Sequence, residues 1–159
     1  MMNAEELKTE WEKEITTYNG KPVILKKDDV RTIITDAIDG ASAYWCDYCG
    51  IEKPVKFVSS PNTEPEAETL ANGGTLAFYV SEPFEDDEKG NGIEKYILTL
   101  DKMMKGIAEC MNECAEEEKE YLLKWHTRKG KYYLDLSCMD GYIEDSILQA
   151  SLFGEIVFG

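Results

Sequence analysis

Between Val30 and Trp45 the apolar residues Val30, Ile33, Ile34, Ala37, Ile38, Ala41, Tyr44 and Trp45 recur at i, i+3, i+4 and i+7 without a break. Only a helix with one buried face uses that spacing, so this segment sets an amphipathic helix on which the rest of the chain must pack. Asp28 or Asp29 is placed to cap its start, because a short carboxylate accepts bonds from exposed first-turn amides. Gly40, inside the pattern, costs about 1 kcal/mol against Ala and points to a close helix contact or a bend.

Three more helices follow from the same spacing. Residues 4–18 carry Leu7, Trp11, Ile15 and Tyr18 on one face and read as a first helix, stopped by Asn19-Gly20. From Asp101, the face Met103, Met104, Ile107, Cys110, Met111 and Cys114 predicts a helix running on toward Tyr121. Residues 142–152 predict the last one, broken by Phe153-Gly154. Strand signals fall at 22–25, 55–59, 75–80, 96–100 and 131–136, and residues 60–74 read as a loop with one helical turn. The acidic loop 82–92 separates two of these strands and predicts an antiparallel pair with a long acidic tip. The expectation is an α+β fold: one domain over residues 1–159, a small antiparallel sheet packed against several amphipathic helices.

Charge narrows the function classes. With 32 acidic and 17 basic residues the net charge is −15. The densest basic stretch, 124–131, is short and lies beside the acidic run 116–118, so direct nucleic-acid binding is disfavoured. The acidity serves solubility or presents an acidic face to a basic partner. No apolar run is long enough to cross a membrane, and the N-terminus lacks the apolar core of a signal peptide. Five cysteines, an odd number, read as reduced thiols in a cytoplasm.

Catalytic patterns are absent. His126 is the only histidine, which removes triads and two-histidine metal sites. Cys46 and Cys49 form a CxxC, and Cys110 and Cys114 a CxxxC; four thiolates make a candidate structural zinc set. Against it, Cys110 and Cys114 lie on an apolar stripe, where cysteine acts as a small hydrophobe. The CxxC also follows a helix C-terminus, the wrong dipole end for a reactive thiolate. In the aromatic segment 44–48, Tyr44 and Trp45 close the core stripe, while Asp47 and Tyr48 lie off it as surface candidates.

Three stretches resemble a known group. AIDGASAYWCD (37–47) is similar to a signature with a Gly-x-x-x-Tyr-Trp core, from which it departs at Asp39 and Ser42. QASLFGEIVFG (149–159) resembles a Q-x-A-L-F-G-E ending, and YILTLDKMMKG (96–106) fits the same pattern. Together they resemble small acidic proteins carried by bacteriophages and prophages. The resemblance implies a phage setting and an accessory gene, and carries no catalytic role.

The expected function is therefore non-enzymatic: binding and inhibition of a basic host-defence protein in the host cytoplasm, in the manner of an anti-CRISPR or a nucleic-acid mimic. The expected contact residues are Glu85, Asp86, Asp87, Glu88, Glu116, Glu117 and Glu118, with Asp47 and Tyr48. Two alternatives stand. One is a binder of a nucleotide immune signal, which needs aromatics and cations such as Arg31, Lys124, Arg128 and Lys131. The other is an oligomeric structural or housekeeping phage protein that buries its Met- and Cys-rich helix faces between subunits.

Overall fold

The structure, a computed structural model, describes residues 2–40, 45–59, 61–80 and 93–157. Along the chain these form α1 (Ala4–Lys8), β1 (Glu12–Tyr18), β2 (Lys21–Lys26), α2 (Lys27–Asp39), β3 (Tyr48–Lys53) and α3 (Pro65–Ala71). There follow β4 (Thr75–Val80), β5 (Glu94–Leu98), α4 (Leu100–Glu113), α5 (Glu116–Leu122), β6 (Leu123–His126), β7 (Lys131–Leu134) and α6 (Gly141–Phe153).

The fold is α+β, with its strands divided between two sheets. The first has the order β1-β2-β7-β6, antiparallel except where β2 and β7 run parallel. The second is the antiparallel meander β3-β4-β5. Helices link them: α4 touches β1 and α6, α6 touches β5, and α2 touches β2, α3 and α6. One hydrophobic cluster runs through Val23 and Leu25 of the first sheet, Ile33 and Ile107 and Ile147 of the helices, and Phe78 and Leu98 of the second sheet.

Several expectations are corrected. The predicted helix over 4–18 ends at Lys8, and Glu12–Tyr18 is a strand. Asn19 and Gly20 take φ of 51° and 73°, the backbone of a tight hairpin turn, so Asn-Gly joins β1 to β2 rather than stopping a helix. The β-strand expected at 55–59 lies earlier, at Tyr48–Lys53, where it pairs with β4. The cap of α4 is Thr99, whose hydroxyl accepts from Lys102 N at 3.2 Å, not Asp101. At α2 the Asp29 carboxylate reaches back to the Lys26 amide at 2.9 Å from inside the first turn. The helix expected to run toward Tyr121 is split into α4 and α5 at Cys114 and Ala115.

Two polar clusters pin the elements. Lys27 spends its ammonium protons on Leu7 O, Thr9 O and Asn72 Oδ1, and Arg31 grips Glu10 and Glu68, so the N-terminal arm is tied to α2 and α3. On the other side Trp45 Nε1 donates to Asp145 Oδ1 at 2.6 Å, Gln149 Nε2 donates to Asp145 Oδ2 at 2.7 Å, and Val157 N donates to Gln149 Oε1 at 2.9 Å. Phe153 meets Trp45 and Tyr96 edge to face. Trp45 thus belongs to the core as expected, but it lies beyond α2, which ends at Asp39, and is buried by these contacts rather than by a place on the helix's stripe.

Candidate partner-binding groove

The packing of α4 against α6 frames a surface groove. Gly106 of α4 lies against Ser151 of α6 so closely that a Cβ would meet the Ser151 backbone within 3 Å, so the two helices are in direct contact there. Residues four apart on a helix align in rows. Cys110 and Cys114 make such a row on α4, and Tyr142, Ser146 and Ala150 make one on α6; both rows line one groove of about 340 Å³. Leu122 of α5 and the tail residues Gly154, Glu155 and Ile156 close it.

The tail is held in place by local chemistry. Gly154 takes φ 78°, the left-handed cap that ends α6, and its amide donates to Ala150 O at 2.9 Å. The bond from Val157 N to Gln149 then fixes the next turn of chain. Ile156 is left 47% exposed and Tyr142 73% exposed on the groove's rim, large apolar surface with no cover within the described residues.

The ionisable side chains on the groove's lining are Glu109, Glu113, Glu118 and Glu155 together with the two thiols and the Tyr142 phenol, and no Lys, Arg or His joins them among the described residues. The thiols register this field. Burial pushes the Cys110 thiol up to about 12, with Glu113 and Glu109 adding to it. Burial and then Glu118 push the Cys114 thiol up as well. Both are therefore neutral at physiological pH and form part of an apolar floor.

The residues expected to contact a partner are only partly brought together. Glu118 lines the groove. Glu116 is turned to β1, where its Oε2 accepts from Tyr18 OH at 2.9 Å, and it lies 3.7 Å from Lys119. Glu117 is exposed on the same helix. Asp47 and Tyr48 are exposed at the start of β3, in the other sheet, where Tyr48 leans on Tyr79. Glu85, Asp86, Asp87 and Glu88 lie outside the described residues. Glu109, Glu113 and Glu155 were not expected; Glu109 and Glu113 sit four apart beside the Cys110–Cys114 row, which is the signal that places them on one wall.

The two cysteine pairs occupy different elements. Cys49 is on β3 and Cys46 just before it, both with thiols raised by burial, whereas Cys110 is on α4 and Cys114 caps that helix. Among the described residues no group of three or more His, Cys, Asp or Glu is placed to hold a metal ion. No helix among them is long and apolar enough to cross a membrane. Comparisons with protein-family models, curated proteins and solved structures return no match.

Proposed function

We propose that this chain is a non-enzymatic binding protein that captures a basic amphipathic helix of another protein in the α4–α5–α6 groove. In the phage setting that the motif resemblance implies, the partner is a cytoplasmic component of host antiviral defence, and capture inhibits it. One observation carries the reading: an apolar groove with exposed rim residues whose charged lining is glutamate alone. Helix-in-groove recognition places apolar anchors on the floor and sets orientation by rim charges. A helix with Leu on one face and Lys flanking it satisfies both demands.

The test uses a fluorescent synthetic peptide of that design and an isohelical control with Glu in place of Lys. Anisotropy titrations should show binding of the basic peptide that weakens with salt, and no binding of the acidic one. An exposed ion pair contributes about 0.2–1 kcal/mol, so the double charge reversal Glu109→Lys with Glu113→Lys should weaken binding about tenfold. Equal binding of both peptides, or an unchanged affinity in the double variant, overturns the proposal. A stable dimer that the peptide cannot dissociate would assign the groove to a second copy of the chain instead.

A further inference from the structure

The N-terminal arm, α2, α3 and the chain that follows β3 enclose a cavity of about 500 Å³, in the size range of sites that take a small ligand. Cations outnumber carboxylates on its lining. Lys8, Lys27, Arg31 and Lys56 stand there with Glu10 and Glu68, on a chain whose net charge is −15.

The excess of positive charge lies at the buried end. Lys27 is 3% exposed, and its three bonds go to Leu7 O, Thr9 O and Asn72 Oδ1, all neutral acceptors. Burial, and then the charge of Arg31, hold its ammonium below the ordinary value, as befits a cation with no carboxylate bonded to it. Glu68 is also buried, and it is engaged by Arg31 Nε at 2.9 Å, by Thr63 and by Asn72. One buried carboxylate therefore stands against two cations. The balance comes from the solvent side. Glu10, with its side chain 67% exposed, accepts from Arg31 Nη1 at 2.7 Å and Nη2 at 2.9 Å, and the exposed Asp28 lies 3.4 Å from the same guanidinium.

Glu10 can release Arg31 while the chain around it stays in place. Trp11 is buried and its indole N–H donates to Ala71 O at 3.1 Å, while Lys27 holds Thr9 O on the other side. A change of side-chain rotamer is enough, and it sends the carboxylate to water, where most of its surface already lies. Two further cations wait at the rim. Lys8 and Lys56 are exposed and have no hydrogen bond or ion pair among the described residues. Beside Lys56 the lining turns apolar, with Phe57 half-buried and Val58 90% exposed.

We propose that this cavity binds a small phosphate monoester with an apolar substituent, the phosphate replacing Glu10 on the Arg31 fork and the substituent lying on Phe57 and Val58. A guanidinium takes two phosphate oxygens as it takes the two of a carboxylate, so Arg31 loses no bond in the exchange. A phosphate monoester carries a charge of about −1.5 to −2 at neutral pH where Glu10 carries one, and Lys8 and Lys56 are placed to answer the added charge. Glu10 is then a built-in competitor that keeps Arg31 paired until the ligand arrives. None of these residues lines the α4–α5–α6 groove, so the inference does not rest on helix capture.

The experiment is calorimetric titration of the intact chain with phenyl phosphate, inorganic phosphate and phenol. Phenyl phosphate should bind most tightly, and phenol should not bind. Glu10→Gln removes the competing charge and should tighten phenyl phosphate about fivefold, and Lys56→Ala should weaken it about fivefold, each the size of one exposed ion pair. Val58→Ser should bring phenyl phosphate down to the level of inorganic phosphate. All three side chains are exposed, so the variants should keep the wild-type circular dichroism. Lys56 makes no bond in the fold, so its variant decides the matter even if Glu10→Gln disturbs the packing. No heat from phenyl phosphate at millimolar concentration, in wild type and in Glu10→Gln alike, overturns the proposal. So does an affinity that Lys56→Ala leaves unchanged, and so does inorganic phosphate binding as tightly as phenyl phosphate.

Discussion

Glu144 supplies a sharp energetic test of the packing between α2 and α6. It lies in the first turn of α6 at 6% exposure, bonded to the side chain of Asp36 on α2. Burial above all, then the bond and charge of Asp36, then the charge of Asp140, push its carboxyl from 4.5 up to about 8. The folded chain therefore keeps a proton that the unfolded chain releases. Folding binds that proton, so this group's contribution is most favourable below its unfolded value and is lost as pH rises toward its folded value.

The substitution Glu144→Gln removes the titration while keeping the size of the side chain and an N–H donor for Asp36. Linkage between 4.5 and about 8 makes the variant more stable than wild type by about 1 kcal/mol at pH 5 and about 3 kcal/mol at pH 7. Above pH 8 the gap levels off. Urea midpoints by circular dichroism at pH 5, 6, 7 and 8 measure the difference directly, and carboxylates other than Asp36 and Asp140, which interact with Glu144, cancel because both proteins carry them. A gap that widens with pH is the expected result. Parallel curves, or a variant that is less stable at pH 8, would refute the assignment of a buried Glu144 that shares a proton with Asp36.

Two further substitutions probe the frame of the groove. Gly106→Ala gains about 1 kcal/mol of helix propensity but drives a methyl into the Ser151 backbone, an overpacking that costs about 1–3 kcal/mol; the melting temperature should fall, and a rise would show that α4 and α6 do not meet at Gly106. Gln149→Leu removes the bonds to Asp145 and from Val157; it should destabilise the fold by about 1–3 kcal/mol and speed hydrogen exchange at the Val157 amide, and an equally protected amide would mean that the tail is held by something else.

What could be read from the residues alone follows the range of the interactions involved. The Val30 helix was legible as far as Asp39 because that buried face lies within one segment, but Gly40, expected inside the helix, is its C-cap, and Trp45 lies beyond it. The stretch 12–18 misled because Trp11, Ile15 and Tyr18 also fit helical spacing, although Ile15, Thr16, Thr17 and Tyr18 favour strand and Asn19-Gly20 is a hairpin signal. β6 is four residues long and exists through pairing with β7, so its own sequence carries little signal. The groove and the cavity at Arg31 are both assembled from segments far apart in the chain. The packing that sets Arg31 beside Glu10 and Glu68, with Lys56 on the same lining, has no local signature. Glu118 was found because it belongs to a charge run, and Glu109 was missed because it does not.

The three resembled stretches gain a physical reading from this geometry. Trp45 comes from the first, Gly106 from the second, and Gln149, Phe153 and Gly154 from the third. Trp45 and Gln149 hold Asp145 from both sides, Phe153 packs between Trp45 and Tyr96, and Gly106 lets α4 close on α6. Gly154 and the Gln149–Val157 bond then set the tail as one wall of the groove. These residues are consumed by the frame and have little left to offer a ligand. Of the groove's charged lining only Glu155 falls within a resembled stretch, while Glu109, Glu113 and Glu118 lie outside all three. The resembled stretches thus serve the frame, and the choice of partner rests on the residues of α4 and α5 that face the groove.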